Sequence, residues 1–534
     1  MTFDWNNPYS TTRHPVFARN IVSTSQPLAA QAGMRVLANG GNAVDAAIAA
    51  AATLTLTEPV SNGLGSDCFA IVWDGARLHG LNASGPAPQA WNLDYFKRKH
   101  RGAIPMRGWD SVTVPGCVAG WDALHAKLGK LSFESVLAPA IEYAERGFAV
   151  SPVVQQKWAA QADVLQSFPG FAEHFMPKMR APHVGEHFVL RGAADTLKRI
   201  AATRGRDFYD GETAHKLVAH AQAHDAAMSV SDLRNYQPEW VTPIQQQYRG
   251  HTLHQIPPNG QGIAALIALG ILDRFDLAQR PIDHPDTQHL MIEAMKLAFA
   301  DVYEHVADGS HMRLTTAQML SPDYLAARAK LIDLKRAQPF ASGHAPQGGT
   351  VYLTTADRNG MMVSFIQSNY MGFGSGIVVP GTGVSLQNRG HCFSTDPTHA
   401  NVVAGGKRPF HTIIPGFLMR DGAPVMSFGV MGGNMQPQGH VQTLVRMLDY
   451  HQQPQAACDA PRWKWNHGVS VDVESAMPRA VLDELRVRGH VLEGFDDPYM
   501  DFGSGQFIWR LGDPAVDGYV AASDSRRDGL AAGF

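Results

Sequence analysis

Three segments before residue 330 carry the apolar pattern of helices. Residues 43–54 form an almost unbroken apolar run that predicts a buried helix, and Asn42 stands where its N-cap belongs. Apolar residues recur every three to four positions in 138–146 and 289–303, which is typical of amphipathic helices. We therefore expect residues 115–330 to be mostly helical.

Strand-like alternation marks two other parts of the chain. Residues 69–82 alternate on either side of an Asp-Gly turn at 74–75, and residues 351–367 do so around an Asn-Gly turn at 359–360. Both segments are predicted to be β-hairpins. The order of strands, many helices, then strands and helices again favours an α+β layered sandwich over a parallel sheet of βαβ units.

The segment before the second hairpin holds the first candidate for chemistry. Residues 336–349 are rich in Pro, Gly, Ala and Gln and lack hydrophobic periodicity, so they are predicted to be an exposed, mobile loop. Gly349 ends this loop and Thr350 opens the strand. Cleavage between them would give Thr350 an α-amino group, whose ordinary pKa of about 7.7–8.0 suits a base that activates the hydroxyl. Taken alone, a threonine at a strand start is usually structural.

A glycine pair provides the second candidate. Gly432 and Gly433 follow a β-like segment at 425–428. Consecutive glycines at a strand end can direct two backbone N–H groups toward one oxygen, as an oxyanion hole requires. The alternative is a plain turn, which is the usual role of a glycine pair.

Other motifs in the chain argue against nucleotide and metal chemistry. The glycines of 373–383 complete neither GxxxxGK[ST] nor GxGxxG, so nucleotide binding is not predicted. His183 and His187 are four residues apart, but no HExxH motif accompanies them, and we expect no metal site. A threonine nucleophile with its own amine needs no cofactor, and none is predicted.

Composition narrows the set of partners and the compartment. The 534 residues include 45 Lys and Arg against 48 Asp and Glu, which gives no basis for a nucleic-acid or anionic membrane partner. Four cysteines without CxxC spacing are predicted to be buried thiols of a cytoplasmic protein. The first fifteen residues lack the basic and apolar regions of a secretory signal, and no apolar run is long enough to span a bilayer.

Several short motifs, highly specific in combination, resemble the gamma-glutamyltransferase family of N-terminal-nucleophile hydrolases. They are Gly40–Ala47 (GGNAVDAA), Val114–Gly116 (VPG), Pro257–Gly260 (PPNG), Glu293–Lys296 (EAMK), Thr350–Asp357 (TVYLTTAD), Phe373–Gly376 (FGSG), Lys407–Pro409 (KRP), Gly432–Gly433 and Ala460–Arg462 (APR). The resemblance implies a four-layer αββα sandwich that cleaves itself. It implies a large fragment of residues 1–349 and a small fragment of residues 350–534, which together form one structural unit.

The same resemblance assigns catalytic roles. Thr350 matches the nucleophile of the family, and Gly432 and Gly433 match its oxyanion-hole glycines. Ser368 stands at the position of a second threonine that supports the nucleophile, and it keeps a hydroxyl there. The substrate is expected to be a small-molecule amide.

The positions that hold a glutamyl group in the family differ here, and they are Ser84, Tyr370, Arg389, Cys392, His411 and Thr412. Ser84 replaces the arginine that pairs with the α-carboxylate, and Cys392 replaces the acid that holds the α-ammonium. A zwitterion needs both partners, because a buried charge is costly when it is unpaired. Arg389 adds a cation instead. We therefore expect Arg389 to bind a substrate carboxylate in a pocket lined by Tyr370, His411 and Thr412, although a structural ion pair at Arg389 is the alternative.

This variant pattern resembles the cytoplasmic branch of the family, which includes oxamate amidohydrolase and the glutaryl-cephalosporin acylases. Three functions remain open from the sequence. The first is a glutathione-type γ-glutamyl hydrolase or transpeptidase, and the second is an amidohydrolase for a short carboxylate-bearing amide, oxamate-like or glutaryl. The third is an uncut, non-catalytic binding protein. A homodimer of the processed unit is also left open.

Overall fold

The computed structural model describes residues 13–340, 349–495 and 502–534. Its strands are, in chain order, β1 (Val16–Ala18), β2 (Ile21–Thr24), β3 (Asp67–Trp73), β4 (Leu78–Ala83), β5 (Phe148–Ala149), β6 (His187–Phe188), β7 (Glu239–Val241), β8 (Ile244–Tyr248), β9 (His251–Gln255), β10 (Gly349–Ala356), β11 (Met362–Tyr370), β12 (Val378–Val379), β13 (Val384–Ser385), β14 (Gly416–Arg420), β15 (Ala423–Met431), β16 (Trp463–His467), β17 (Ser470–Glu474), β18 (Val491–Phe495), β19 (Ser504–Arg510), β20 (Tyr519–Ser523) and β21 (Leu530–Gly533).

The α-helices are α1 (Pro27–Ala38), α2 (Ala43–Thr57), α3 (Leu93–His100), α4 (Cys117–Leu128), α5 (Phe133–Arg146), α6 (Pro152–Leu165), α7 (Phe171–Phe175), α8 (Arg191–Thr203), α9 (Arg206–Asp210), α10 (Glu212–Ala223), α11 (Val230–Arg234), α12 (Ile263–Leu272), α13 (Pro285–His305), α14 (Thr316–Met319), α15 (Pro322–Ala329), α16 (Met435–Leu448), α17 (Pro454–Asp459) and α18 (Arg479–Val487). Short 3₁₀ turns include Trp109–Ser111 and Arg389–Cys392.

Within the described residues, two antiparallel sheets of seven strands form the centre of the molecule. Their strand orders are β1-β20-β19-β15-β14-β9-β8 and β21-β2-β10-β11-β3-β4-β7. A thin apolar core between the sheets includes Phe69, Tyr352 and Phe417. Two larger cores lie on the outer faces, where α2 packs on the second sheet and α12 and α16 pack on the first. This is the four-layer αββα arrangement that the sequence predicts.

Both sheets mix strands from the two sides of the Gly349–Thr350 bond. In the second sheet β10 pairs with β2 from early in the chain and with β11 from late in it. In the first sheet β14 pairs with β9 in the same way. The residues before and after this bond therefore share the same hydrogen-bonded layers.

The predicted hairpins and helices are present with adjusted bounds. β3 pairs with β4 across the Asp-Gly turn, and β10 pairs with β11 across the Asn-Gly turn. Helix α2 begins after Asn42, whose side chain accepts from Asp45 N–H while Asp45 caps in return, and every residue of this helix is buried. The two amphipathic segments lie in α5 and α13.

The loop predicted at 336–349 differs from the expectation where it is described. Ala337 is buried and its N–H donates to Arg488 O at 2.7 Å, whereas Arg336 and Pro339 on either side of it are exposed, so the start of this irregular segment is anchored at one residue. Residues 341–348 of the predicted loop lie outside the described residues.

The cysteines are unpaired thiols, and Cys392 is partly exposed whereas the other three are buried. Of the described helices, none is long and apolar enough to cross a bilayer.

Candidate active site

Thr350 and Ser368 meet where β10 and β11 depart from regular pairing. Gly349 pairs with Tyr370 and Val351 pairs with Gln367, so the register shifts at Thr350. Thr350 Oγ1 donates to Ser368 Oγ at 3.2 Å, and Ser368 Oγ donates to the Gly349 carbonyl oxygen at 2.7 Å. Thr350 is 1% exposed. The two hydroxyls therefore connect Thr350 to the carbonyl of the peptide bond that precedes it.

Helix α16 approaches the same threonine with its first turn. Gln436 Nε2 lies 3.4 Å from Thr350 Oγ1, and Gln436 Oε1 accepts from Ile414 N–H at 3.0 Å, which orients the amide. Gln436 is fully buried. The side chain therefore presents an N–H donor to the threonine hydroxyl.

Gly432 and Gly433 form the turn between β15 and α16, close in sequence to Gln436. Their φ angles are +124° and +59°, conformations that favour glycine, and a Cβ on Gly432 would lie 3.0 Å from Gly503 Cα. Within the described part of the chain, neither of their N–H groups donates a hydrogen bond. The Gly433 carbonyl accepts from Gln261 Nε2 at 3.0 Å, which holds the turn. Two N–H groups are thus left available beside the first turn of α16.

Arg389 lies in the site and is fully buried. Its Nη1 donates to Thr412 Oγ1 at 2.9 Å, and its Nη2 lies 3.4 Å from Ser368 Oγ. The guanidinium carbon stacks 4.5 Å from the centre of the Tyr370 ring. Nε has no hydrogen-bond partner among the described residues. Arg389 is therefore one hydroxyl away from Thr350 and has donor capacity to spare.

An acid that sequence reasoning missed stands behind Arg389. Asp67 opens β3 directly opposite Ser368 on β11, and its Oδ2 lies 3.9 Å from Arg389 Nε. His411 Nε2 lies 3.0 Å from the same oxygen. His411 Nδ1 accepts from Ile413 N–H at 3.4 Å, so Nε2 carries the ring proton and donates to Asp67. Burial raises the pKa of Asp67 to about 7, although Arg389 opposes the rise.

The remaining ionisable groups of the pocket are held neutral. Burial, and then the Arg389 charge, depress the pKa of His411 well below its usual range. Burial, and then the Cys392 thiol, raise the pKa of Tyr370 well above its usual range, so Tyr370 keeps its proton. The buried Tyr370 hydroxyl donates to no oxygen or nitrogen of the described residues, and the Cys392 thiol beside Tyr370 and Arg389 is a weak acceptor. The pocket therefore offers donors from both Tyr370 and Arg389.

Ser84, which the sequence comparison predicts to replace a carboxylate-binding arginine, belongs to a separate hydrogen-bond group. Its Oγ donates to Asn82 Oδ1 at 2.8 Å, and its carbonyl accepts from Arg408 Nε at 3.0 Å. Arg408 also pairs with Glu239 at 2.6 Å. The structure therefore fills the Ser84 position with amide and hydroxyl contacts, and the cation beside it is already paired.

Five of the predicted site residues are joined by direct contacts. Thr350, Ser368, Arg389 and Thr412 form a continuous set of contacts, with Tyr370 stacked beneath Arg389. Sequence reasoning missed Asp67 and Gln436. A charged residue at the head of the apolar run DCFAIVW was the available signal for Asp67, because such a residue is costly to bury without a role. Gln436 carried no comparable signal.

A second buried ionic group lies on α13, within the EAMK motif. Lys296 Nζ donates to Glu293 Oε1 at 2.6 Å, and both side chains are fully buried. His289, Glu293 and His490 could in principle hold a metal ion, but the Lys296 ammonium already occupies Glu293. The backbone N–H of Gln338 donates to Glu293 Oε2 at 3.3 Å, and its carbonyl oxygen accepts from Lys296 Nζ at 3.3 Å. This ion pair therefore anchors the chain shortly before residue 341.

Comparisons with known proteins cover nearly the whole chain. A family model described as Gamma-glutamyltranspeptidase matches residues 29–534. The "Glutathione hydrolase-like YwrD proenzyme" of Bacillus subtilis is 36% identical over 97% of this chain and 98% of its own length. The "Oxamate amidohydrolase proenzyme" of Klebsiella pneumoniae is 35% identical over 95% and 97%. A crystal structure of cephalosporin acylase from Bacillus halodurans shares 46% identity and a TM-score of 0.95, covering 100% of this chain and 99% of that one.

Proposed function

Because the chain belongs to the gamma-glutamyltranspeptidase family of self-processing hydrolases and acyltransferases, we propose that it cuts itself at Gly349–Thr350 and then hydrolyses amides whose acyl group carries a carboxylate. One observation carries the choice of substrate. The buried Arg389 guanidinium contacts Ser368, which contacts Thr350, so a fixed cation lies beside the attacking hydroxyl. Cleavage at this bond defines fragments 1–349 and 350–534.

Self-cleavage uses the contacts of Ser368. Thr350 Oγ1 attacks the Gly349 carbonyl carbon, and its proton passes to Ser368 Oγ while the Ser368 proton moves to the carbonyl oxygen. The C–N bond then breaks as the Thr350 nitrogen takes up the proton of the new C–OH group, so that the carbonyl re-forms and an ester joins Gly349 to Thr350 Oγ1. Water hydrolyses that ester and leaves Thr350 with a free amine and a free hydroxyl.

Turnover uses the same threonine on an external amide. The Thr350 amine accepts the hydroxyl proton as Oγ1 bonds to the acyl carbon, and the N–H groups of Gly432 and Gly433 stabilise the oxyanion. The amine then returns the proton to the leaving nitrogen. Water hydrolyses the acyl ester, or an acceptor amine takes the acyl group. Since Thr350 is buried in the uncut chain, self-cleavage must come first to admit a substrate.

The distance between Arg389 and Thr350 favours a short acyl group. Contacts of 3.4 and 3.2 Å through Ser368 set an upper limit of about 6.6 Å between Arg389 Nη2 and Thr350 Oγ1. In an oxamate-like acyl group one C–C bond of about 1.5 Å separates the carboxylate from the attacked carbon, which fits this spacing. A glutaryl group adds three methylene carbons and must fold back or displace Arg389.

A γ-glutamyl substrate is the second candidate, and Asp67 favours it. A zwitterionic acyl group needs a cation and an anion, and Arg389 and Asp67 supply one of each. Against this, both Asp67 oxygens are already in use, since Oδ2 accepts from His411 and Oδ1 accepts from Gly85 N–H at 3.4 Å. A plain carboxylate therefore remains the better match.

The partners and location follow from the same proposal. The two fragments stay associated after cleavage because strands from both complete each sheet. We place the processed enzyme in the cytoplasm, acting on a small-molecule amide, with a homodimer as the assembly to test first. Sedimentation of the processed enzyme distinguishes a 58 kDa unit from its dimer.

The test compares oxamate, glutaryl-anilide and γ-glutamyl-anilide on wild type, Arg389→Ala and Arg35→Ala. Arg35 is half-exposed on α1 and pairs with Glu142, so it controls for loss of an arginine elsewhere. Each protein is first shown to be cut, since Arg389 contacts Ser368. We expect oxamate to be the best substrate and Arg389→Ala to lower its kcat/KM by about 10²-fold or more. A higher kcat/KM for γ-glutamyl-anilide than for oxamate, unchanged by Arg389→Ala, would contradict the proposal. A wild-type chain that stays uncut and turns over none of the three substrates would support the binding-protein alternative.

A further inference from the structure

We propose that Asp67 is a specificity-determining residue that gives up its negative charge when an anionic acyl group binds, so that binding takes one proton from solution. The inference rests on the proposed role of Arg389 as the carboxylate-binding group. It assigns Asp67 the role of an internal counterion that competes with the substrate for Arg389.

The geometry makes Asp67 a competitor. Its Oδ2 is 3.9 Å from Arg389 Nε, near enough for a strong charge interaction but too far for a hydrogen bond. Both side chains are fully buried, so water screens the pair poorly. Whenever Asp67 is ionised, its carboxylate is therefore the counterion of Arg389, while Arg389 Nε keeps its hydrogen-bonding capacity.

A bound carboxylate changes this balance. Two anions would then flank one buried cation, and their repulsion disfavours the ionised form of Asp67. Binding of the ligand and binding of a proton at Asp67 are consequently linked, and each strengthens the other. Because burial already brings the pKa of Asp67 to about 7, the proton is available near neutral pH.

Other groups around Asp67 do not take over this role. His411 is neutral and carries its proton on Nε2, as its contact with Ile413 N–H requires. Burial raises the pKa values of the Cys68 and Cys117 thiols and of the Tyr236 hydroxyl well above their ordinary values, so they remain uncharged. Burial also raises the pKa of the Cys392 thiol. Arg408, the other nearby cation, pairs with Glu239.

The linkage has a definite sign. Below pH 7 Asp67 is already protonated in the free enzyme, and carboxylate affinity does not depend on its titration. Above pH 7 the ligand must bring a proton with it, so affinity falls about tenfold per pH unit until Asp67 of the complex itself ionises. A neutral amide of the same shape carries no such requirement.

The experiment measures oxalate and oxamide binding to the processed enzyme by calorimetry in buffers of different protonation enthalpy. The Thr350 amine titrates in the same pH range and can also take up protons when oxalate binds. Asp67→Asn retains that amine, so the difference between wild type and Asp67→Asn gives the proton uptake of Asp67 alone. We expect wild type at pH 8 to take up about one more proton per oxalate than Asp67→Asn does. At pH 8.5 oxalate should bind Asp67→Asn about tenfold or more tightly than wild type, whereas the two should agree within about twofold at pH 6. Oxamide binding should show no difference.

Equal proton uptake by wild type and Asp67→Asn would overturn the inference and leave the role of Arg389 intact. If oxalate does not bind to the wild type, or binds equally well to Arg389→Ala, the proposed function is overturned instead. If Asp67→Asn does not fold or cut itself, infrared difference spectra of wild type provide the readout. A protonated carboxylic acid band that develops on adding oxalate at pH 8, and shifts with ¹³C-labelled aspartate, supports the inference, and its absence overturns it.

Discussion

The Ser368 hydroxyl donates a 2.7 Å hydrogen bond to the carbonyl oxygen of Gly349, the carbonyl of the bond that self-cleavage would break. The same oxygen of Ser368 receives the Thr350 hydroxyl, so nucleophile and electrophile are joined through one side chain. Ser368 can therefore polarise the carbonyl and accept the nucleophile's proton in a single step. This relation makes Ser368 as important for processing as Thr350.

Replacing Ser368 tests that relation. Ser368→Ala should slow self-cleavage by about 10²-fold or more, because the carbonyl loses its donor and Thr350 loses its acceptor. Ser368→Thr keeps the hydroxyl and should cut at a rate close to wild type. Full-length chain is followed over time by denaturing electrophoresis. Wild-type cleavage rates in Ser368→Ala would assign the role to another group.

Thr350→Ala should remain a single chain of 58.0 kDa after long incubation. The wild type should instead give fragments of about 38 and 20 kDa, by proportion of chain length. Thr350→Ser retains a hydroxyl and should still cut. Amino-terminal sequencing of the smaller fragment should begin Thr-Val-Tyr, and any other start would place the cleavage elsewhere.

Gln436 should contribute to turnover through its N–H. Gln436→Glu keeps the oxygen that accepts from Ile414 N–H and removes the donor to Thr350 Oγ1. We expect kcat for the best substrate to fall about tenfold or more, since a carboxylate beside Thr350 cannot donate to its oxygen. Gln438→Glu is the control for a new buried charge on α16, because the Gln438 amide contacts Asn434 and Trp465 rather than Thr350. Equal losses in both variants would show a general charge effect.

The Glu293–Lys296 pair should be important for stability. Lys296→Met leaves Glu293 buried without its partner and should lower the free energy of unfolding by about 3–5 kcal/mol. The double variant Glu293→Gln/Lys296→Met should recover much of this loss. Lys216→Met breaks an exposed pair with Glu212 and should change the free energy of unfolding little. The free energies are measured by urea unfolding, with every variant made in the Thr350→Ala background. That chain stays uncut, so refolding does not require two fragments to reassemble.

Asp67 should make stability depend on pH. Its pKa is raised from 3.8 to about 7 in the folded protein, so the folded state holds this proton more tightly than the unfolded chain does. Stability from this group is greatest below about pH 4 and is lost as pH rises to about 7. Between pH 5 and pH 8, wild type should therefore lose about 3 kcal/mol relative to Asp67→Asn. Urea unfolding at both pH values, again in the Thr350→Ala background, measures the difference, and a pH-independent difference would contradict it.

Sequence patterns were sufficient to predict the main elements and the candidate nucleophile. Local signals were sufficient for the capped helix α2 and for the hairpin of β10 and β11, because capping and Asn-Gly turns depend on neighbouring residues alone. Family motifs placed Thr350, Ser368 and Arg389 in one site, and the structure joins them by direct contacts.

The arrangement of charge in that site, by contrast, results from packing between distant parts of the chain. Asp67 reaches Arg389 because β3 and β11 pair in one register, and a register between strands 300 residues apart cannot be deduced from local pattern. The register shift at Thr350 and the approach of Gln436 from α16 depend in the same way on packing between distant elements. The sequence therefore specified which groups are present, whereas packing determined which buried charges face one another and hence which pKa values move.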